Sequence, residues 1–101
     1  MVKSELVHAL QEKLHDHQLD DVELAVNCLL KQMADALAHG ERIEIRGFGS
    51  FDCRHRPPRI SRYPKTGETV NLPAKSATHF KPGKEMRDRV DAARDKFSIA
   101  E

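Results

Sequence analysis

The chain has no tryptophan, one tyrosine (Tyr63) and four phenylalanines among its 101 residues. Aromatic rings supply the largest areas a small domain can bury, so their scarcity leaves a modest core. Only two cysteines occur, Cys28 and Cys53, with neither metal-ligand spacing nor the density of a disulfide framework. Reduced thiols and a cytoplasmic location are the expectation. No apolar run approaches the roughly 20 residues that cross a bilayer, and the N-terminus lacks a signal-peptide pattern, so no membrane partner is expected. No nucleophile–base pair, carboxylate dyad or glycine-rich phosphate cradle stands at useful spacing, which argues against an enzyme. His15 and His17 form a His-x-His pair with no third ligand at metal spacing, so neither a metal nor another cofactor is expected.

What is present is a divided charge. The net charge is only +1, yet residues 1–41 hold three lysines and eight acidic residues, a balance of −5. Residues 42–89 hold twelve basic and five acidic residues, a balance of +7, and residues 90–101 add −1. Such asymmetry predicts an acidic part facing away from a ligand and a basic part facing it. The basic part centres on 47–67, where Phe48 and Phe51 flank Gly49 and the chain then turns to Arg54, His55, Arg56, Arg59, Arg62 and Lys65. Pro57, Pro58 and Pro64 interrupt that run. Unpaired charge is costly to desolvate, so the segment must project into solvent and take its counter-charge from a partner. The phosphate backbone of nucleic acid fits best. Tyr63-Pro64-Lys65-Thr66-Gly67 is a turn signal, and the alternation of 68–72 reads as a returning strand. Residues 52–75 are therefore predicted to form a two-stranded ribbon with Pro64 at its tip; a mobile basic loop without a role is the weaker reading, because loops this long are uncommon in a compact domain.

The rest of the chain reads as one domain, 1–101, marginal as a monomer. Leu6, Leu10 and Leu14 make one apolar stripe over 3–14, a first helix. Ser4 near its start is either a mild phosphate site or a cap. A second helix runs from Leu19 to His39, capped by Asp20 or Asp21 and stopped by Gly40. Its apolar face, Val22, Val26, Leu29, Leu30, Met33 and Leu37 among others, is wider than one short helix can cover. An obligate dimer would bury it; the alternative is burial by the chain's own sheet. Residues 42–46 alternate as a strand, with Ile43 and Ile45 directed to the core and Arg42, Glu44 and Arg46 outward. That outward row is either a salt-bridge ladder or an arginine steered toward a ligand by a carboxylate. Residues 77–81 read as a third strand, and a last helix from about Gly83 to Phe97 carries Lys84, Arg87 and Arg89 near its start. Cations there oppose the helix dipole unless an anion binds, so phosphate contacts are favoured over a merely solvated face. The tail from 95 to 101 is expected to fray.

With these segments placed, the chain resembles the HU/integration host factor family of bacterial DNA-bending proteins over roughly residues 1–94. The resemblance rests on Gly47-Phe48-Gly49-Ser50-Phe51, on Arg62-Tyr63-Pro64-Lys65-Thr66-Gly67 and on 80–87, FKPGKEMR. Residues 42–47, RIEIRG, are more similar to the beta-type branch of integration host factor than to HU. The resemblance implies an α+β fold: a helical hairpin base, a three-stranded antiparallel sheet with a long β-ribbon arm, and a C-terminal helix, intertwined as a dimer. It implies arms that embrace double-stranded DNA through the minor groove, with Pro64 wedged between base pairs. It also implies Arg59, Arg62 and Lys65, with Arg56, along the groove, and contacts from Gly47 and Ser50 at the arm's root. Lys81, Lys84, Arg87, Lys3 and Ser4 would clamp the bent flanks, and Glu44 would hold Arg46 in the minor groove. The implied role is sequence-preferring bending within a heterodimer with an alpha-type subunit, serving recombination, gene regulation and nucleoid organisation. A homodimer with HU-like, non-specific binding is the alternative. A protein-binding adaptor that uses the ribbon for strand addition fits the arginine density poorly. The chain departs from the family pattern at Ile60, at Ser61, where a small residue such as glycine is usual, and at Tyr63, where asparagine is usual.

Overall fold

A computed structural model describes residues 1–97. Helix α1, Lys3–Lys13, and helix α2, Leu19–Ala38, form a hairpin. Strands β1 (Ile43–Ile45), β2 (Gly49–Arg56), β3 (Arg59–Arg62), β4 (Thr69–Leu72) and β5 (Lys75–Pro82) follow, and α3, Lys84–Ala92, closes the order. Strands β1, β2 and β5 make an antiparallel sheet, and β3 and β4 pair as a separate antiparallel ribbon. This is the expected α+β architecture.

The hairpin buries little. Val7 of α1 and Val22 and Val26 of α2 are its only buried side chains among the described residues, with Leu10 packed against them. Leu29 and Leu30 of α2 stay exposed while Met33 and Leu37 are half-buried, so the wide apolar face expected from the sequence is only partly covered within the chain. The end of α2 follows the sequence closely. Gly40 takes φ +78°, its N–H donates to Leu37 O at 3.0 Å, and Glu41 N–H donates to Ala36 O at 3.0 Å. That Schellman pair satisfies carbonyls that the helix end would orphan. The start does not follow it. Gln18 is the N-cap residue, with no side-chain cap bond, and Asp20 and Asp21 lie inside the first turn, where their charge complements the helix dipole instead. Ser4 likewise lies inside α1 rather than capping it, since Val2 holds the N-cap position.

Three further expectations are corrected. Strand β1 is only three residues long, and Ile45 is exposed while Ile43 is half-buried, so the pair does not fill a core within one chain. The ribbon is not continuous over 52–75. Its root pairs Arg56 with Lys75, its outer part begins at the Arg59–Leu72 pair, and Pro57, Pro58, Pro73 and Ala74 separate the two. Proline has no N–H to give the ladder, which is why the pairing lapses there. Helix α3 ends at Ala92 with Ala93 as its C-cap, and residues 93–96 continue only as turns. The predicted fraying of the last residues, 98–101, lies outside the described residues.

Candidate nucleic-acid interface

Antiparallel pairing assigns each face of the sheet. Glu44 lies opposite Ser50 and Ser50 opposite Lys81, so these three form one polar row. Ile43, Phe51 and Phe80 form the corresponding row on the other face. There the Phe51 and Phe80 rings lie 4.7 Å apart, and Phe48 stands 5.5 Å from Phe80. The aromatic rings pack on one another on one side of the sheet, and the polar row faces the other.

Arg46, Gly47 and Phe48 form the turn between β1 and β2, closed by Phe48 N–H donating to Ile45 O at 3.0 Å. Gly47 adopts φ +82°, which a side chain rarely tolerates, and Arg46 stands at the corner rather than in the strand. Gly83 N–H donates to Phe48 O at 2.8 Å, tying the start of α3 to this turn. The result is a groove of about 580 Å³ lined by Arg42, Glu44, Arg46, Gly47, Ser50, Lys81, Lys84 and Arg87 among others. Seven residues expected from sequence meet here, Glu44, Arg46, Gly47, Ser50, Lys81, Lys84 and Arg87.

Five cations and one carboxylate line the groove, so its field is positive. The carboxylate is held, though not by the expected residue. Arg42 donates from Nη2 at 2.9 Å and Nε at 3.3 Å to Glu44 Oε1, whereas Arg46 has no ion pair among the described residues. In the chain without DNA, Glu44 is thus engaged by Arg42, and Arg46 stands beside it at the groove. Lys84 lies 3.5 Å from Asp88, an exposed i,i+4 pair of the kind that contributes little and yields readily to phosphate.

Sequence reasoning left two residues out of the site. Arg42 lines the groove, and the sequence showed it only as one flank of Glu44. Asp52 sits at the arm's root, opposite His79 across the ladder. Its oxygens lie 3.6 Å from His79 Nδ1, 3.8 Å from Arg42 Nη1 and 3.9 Å from Arg54 Nε. Period-two alternation from Ser50 would have put Asp52 on the opposite strand face to Phe51, but only the register brings the three basic groups around it.

Beyond the root the ribbon carries charge outward. Arg56, Arg59, Arg62 and Lys65 are exposed and have no ion pair among the described residues. Pro64 lies exposed in the tip turn, which is closed by Tyr63 N–H donating to Glu68 O and Gly67 N–H donating to Tyr63 O, both at 2.8 Å. Gly67 takes φ +73° to reverse the chain. Lys3 and Ser4 are exposed at the start of α1 and do not line the groove; Lys3 Nζ donates to Asn27 Oδ1 at 2.8 Å. No helix among the described residues is long and apolar enough to cross a membrane.

Residues 1–91 match the family model described as bacterial DNA-binding protein. The integration host factor subunit beta of Alkalilimnicola ehrlichii is 63% identical over 94 residues, covering 93% of this chain and 94% of the relative. That of Hahella chejuensis is 56% identical, covering 92% and 95%. Among solved structures, HU in a cocrystal with DNA from Anabaena superposes with a TM-score of 0.80 at 34% identity, covering 89% of this chain and 97% of that one.

Proposed function

The chain belongs to the bacterial DNA-binding protein family, a family of architectural proteins rather than enzymes, and from that premise we propose that it bends double-stranded DNA with a preference for particular sequences. The observation that carries this reading is a predominance of positive charge from the groove to the ribbon. It begins in the groove at Arg46, Lys81, Lys84 and Arg87 and passes along the ribbon through Arg56, Arg59, Arg62 and Lys65 to the exposed Pro64. In the proposed complex an alpha-type subunit completes the dimer, and the two arms follow the minor groove. Pro64 enters a base step and kinks the duplex, a mode described for this family itself. Proline suits the task because it is rigid and brings no N–H that would need a partner in the stack. Lys81, Lys84, Arg87, Lys3 and Ser4 hold the phosphates of the bent flanks, with Gly47 and Ser50 close to the backbone at the arm's root. Preference for one sequence arises from groove width and deformability rather than from major-groove hydrogen bonds. The setting is the nucleoid, within the cytoplasm, where bending serves recombination, gene regulation and compaction.

Fluorescence transfer between the ends of a bound duplex tests the mechanism. The wild-type chain with its partner is expected to bring the ends together, and Pro64→Ala to lower the transfer more than the affinity. Straight DNA in the wild-type complex would overturn the wedge. A second reading, HU-like binding by a homodimer with little sequence preference, gains support from the engagement of Glu44 by Arg42, which leaves Arg46 unheld. Competition between a preferred site and random DNA separates the two. Equal affinity favours the second; preference that Arg46→Ala flattens favours the first.

A further inference from the structure

Tyr63 takes no part in the proposed wedge or in the clamp on the flanks, and its ring is the one tyrosine side chain of the arm. It is 56% exposed, and Ile60 nearby is 73% exposed, on an outer ribbon whose other exposed residues are charged or polar apart from Pro64 and Gly67. Among the described residues the ring pairs with none of the aromatic side chains. Yet its backbone is fixed from both sides, since its N–H is bonded to Glu68 O and its carbonyl accepts from Gly67 N–H, each at 2.8 Å. The proline that follows restricts it further toward extended conformations. The phenol is therefore a large flat group held out from a fixed point, one residue from Pro64.

We infer that Tyr63 is a second DNA-contacting residue of the arm tip, whose ring stacks on a base laid open beside the step that Pro64 enters. The inference rests on the bending reading. A step opened by a proline presents a base face without its neighbour, and an aromatic side chain replaces the lost stacking whatever the base. The ring is rigid apart from two torsions, so little side-chain freedom is lost on contact. Its hydroxyl can remain in water, as it does in the free chain, so stacking leaves no polar group unpaired. Ile60, a ribbon residue before it, has no π-face and is assigned no stacking role.

The composition supplies a direct probe, because the chain has no tryptophan and Tyr63 is its single tyrosine. The emission of this residue is obtained as the difference between the wild-type and Tyr63→Phe proteins in the same dimer, which removes any contribution from a partner subunit. Adding duplex DNA is expected to quench that difference signal. Tyr63→Phe retains the stacking face and should bind as tightly as the wild type. Tyr63→Asn should weaken binding about five- to tenfold, at the lower end of what base–aromatic stacking contributes. The log–log salt slope should stay unchanged, because no phosphate contact is lost. Bent DNA with unquenched emission, or Tyr63→Asn binding as tightly as wild type, would overturn the inference while leaving the bending reading intact. Straight DNA with the wild-type chain would instead remove the bending reading and this inference together. The substituted side chain is exposed at a loop tip, so these variants keep the fold.

Discussion

Gly49 shows how one residue links the sheet to the groove. A Cβ at this position would meet Lys81 O at 2.6 Å and the Phe80 ring at 2.8 Å, so β5 and its phenylalanine approach as closely as they do only because the side chain is missing. Gly49→Ala must push β5 away, disturbing both the Phe51–Phe80 contact and the position of Lys81 in the groove. Overpacking of this kind typically costs about 1–3 kcal/mol. For a domain of this size each kcal/mol corresponds to roughly 4–8 °C in Tm, so a loss of at least several degrees is expected by circular dichroism. An unchanged Tm would mean that the two strands separate without strain. The Gly-Phe-Gly-Ser-Phe motif was legible in the sequence, but the reason for its second glycine was not, because the obstructing atoms belong to residues some thirty positions later. The partner of Glu44 was illegible for a related reason. Arg42 and Arg46 both flank Glu44 in sequence, and only the turn geometry at Gly47, which places Arg46 at a corner, leaves the carboxylate to Arg42.

Among the elements, helices and strands followed from local pattern where the pattern was strong. Apolar spacing placed α1 and α2, and Gly40 ended α2 where a residue with positive φ was required. Caps depended on details that propensity does not resolve, and Gln18 stands where an aspartate was expected. The arm shows the opposite lapse. Its prolines were visible, yet their missing N–H groups were not counted against a continuous ladder, and the pairing breaks between Arg56 and Arg59. The outer ribbon is thus a two-stranded segment of four-residue strands, the kind of unit that is only marginally stable by itself. It carries exposed cleavage points for trypsin at Arg59, Arg62 and Lys65, whereas the bond after Arg56 is protected by Pro57. Limited trypsin digestion is expected to cut the free protein first within 59–66, ahead of any site in α1 or α2. Saturating duplex DNA should suppress those cuts, because the proposed complex buries the same residues in the minor groove. Unprotected cleavage in the DNA-bound state would place the arms outside the complex.

The molecule as a whole is too open to stand alone. Its accessible surface is 9154 Å², whereas a monomeric protein of 11.5 kDa exposes about 5,800 Å². The radius of gyration is 19.2 Å, against about 13 Å for a compact domain of this length. The projecting arm accounts for part of this excess, but it does not account for Leu24, Leu29, Leu30, Phe48 and Val90, which lie exposed on the helices and on the turn beside α3. Three buried valines cannot offset the entropy of ordering a chain of this size, since each ordered residue costs about 1–2 kcal/mol of backbone freedom. In the proposed dimer a second chain supplies the missing burial, so that folding and association would be one event. Stability then depends on protein concentration, because mass action favours the paired state. The Tm of the chain, alone or mixed with the proposed alpha-type subunit, should rise steadily over a hundredfold increase in concentration. A spectroscopic signature of the helices should vanish on dilution together with the dimer peak in sedimentation. A Tm independent of concentration, alongside a monomer that keeps its full helical signal, would show that three valines and an aromatic trio suffice, and the paired base on which both arms depend would have to be abandoned.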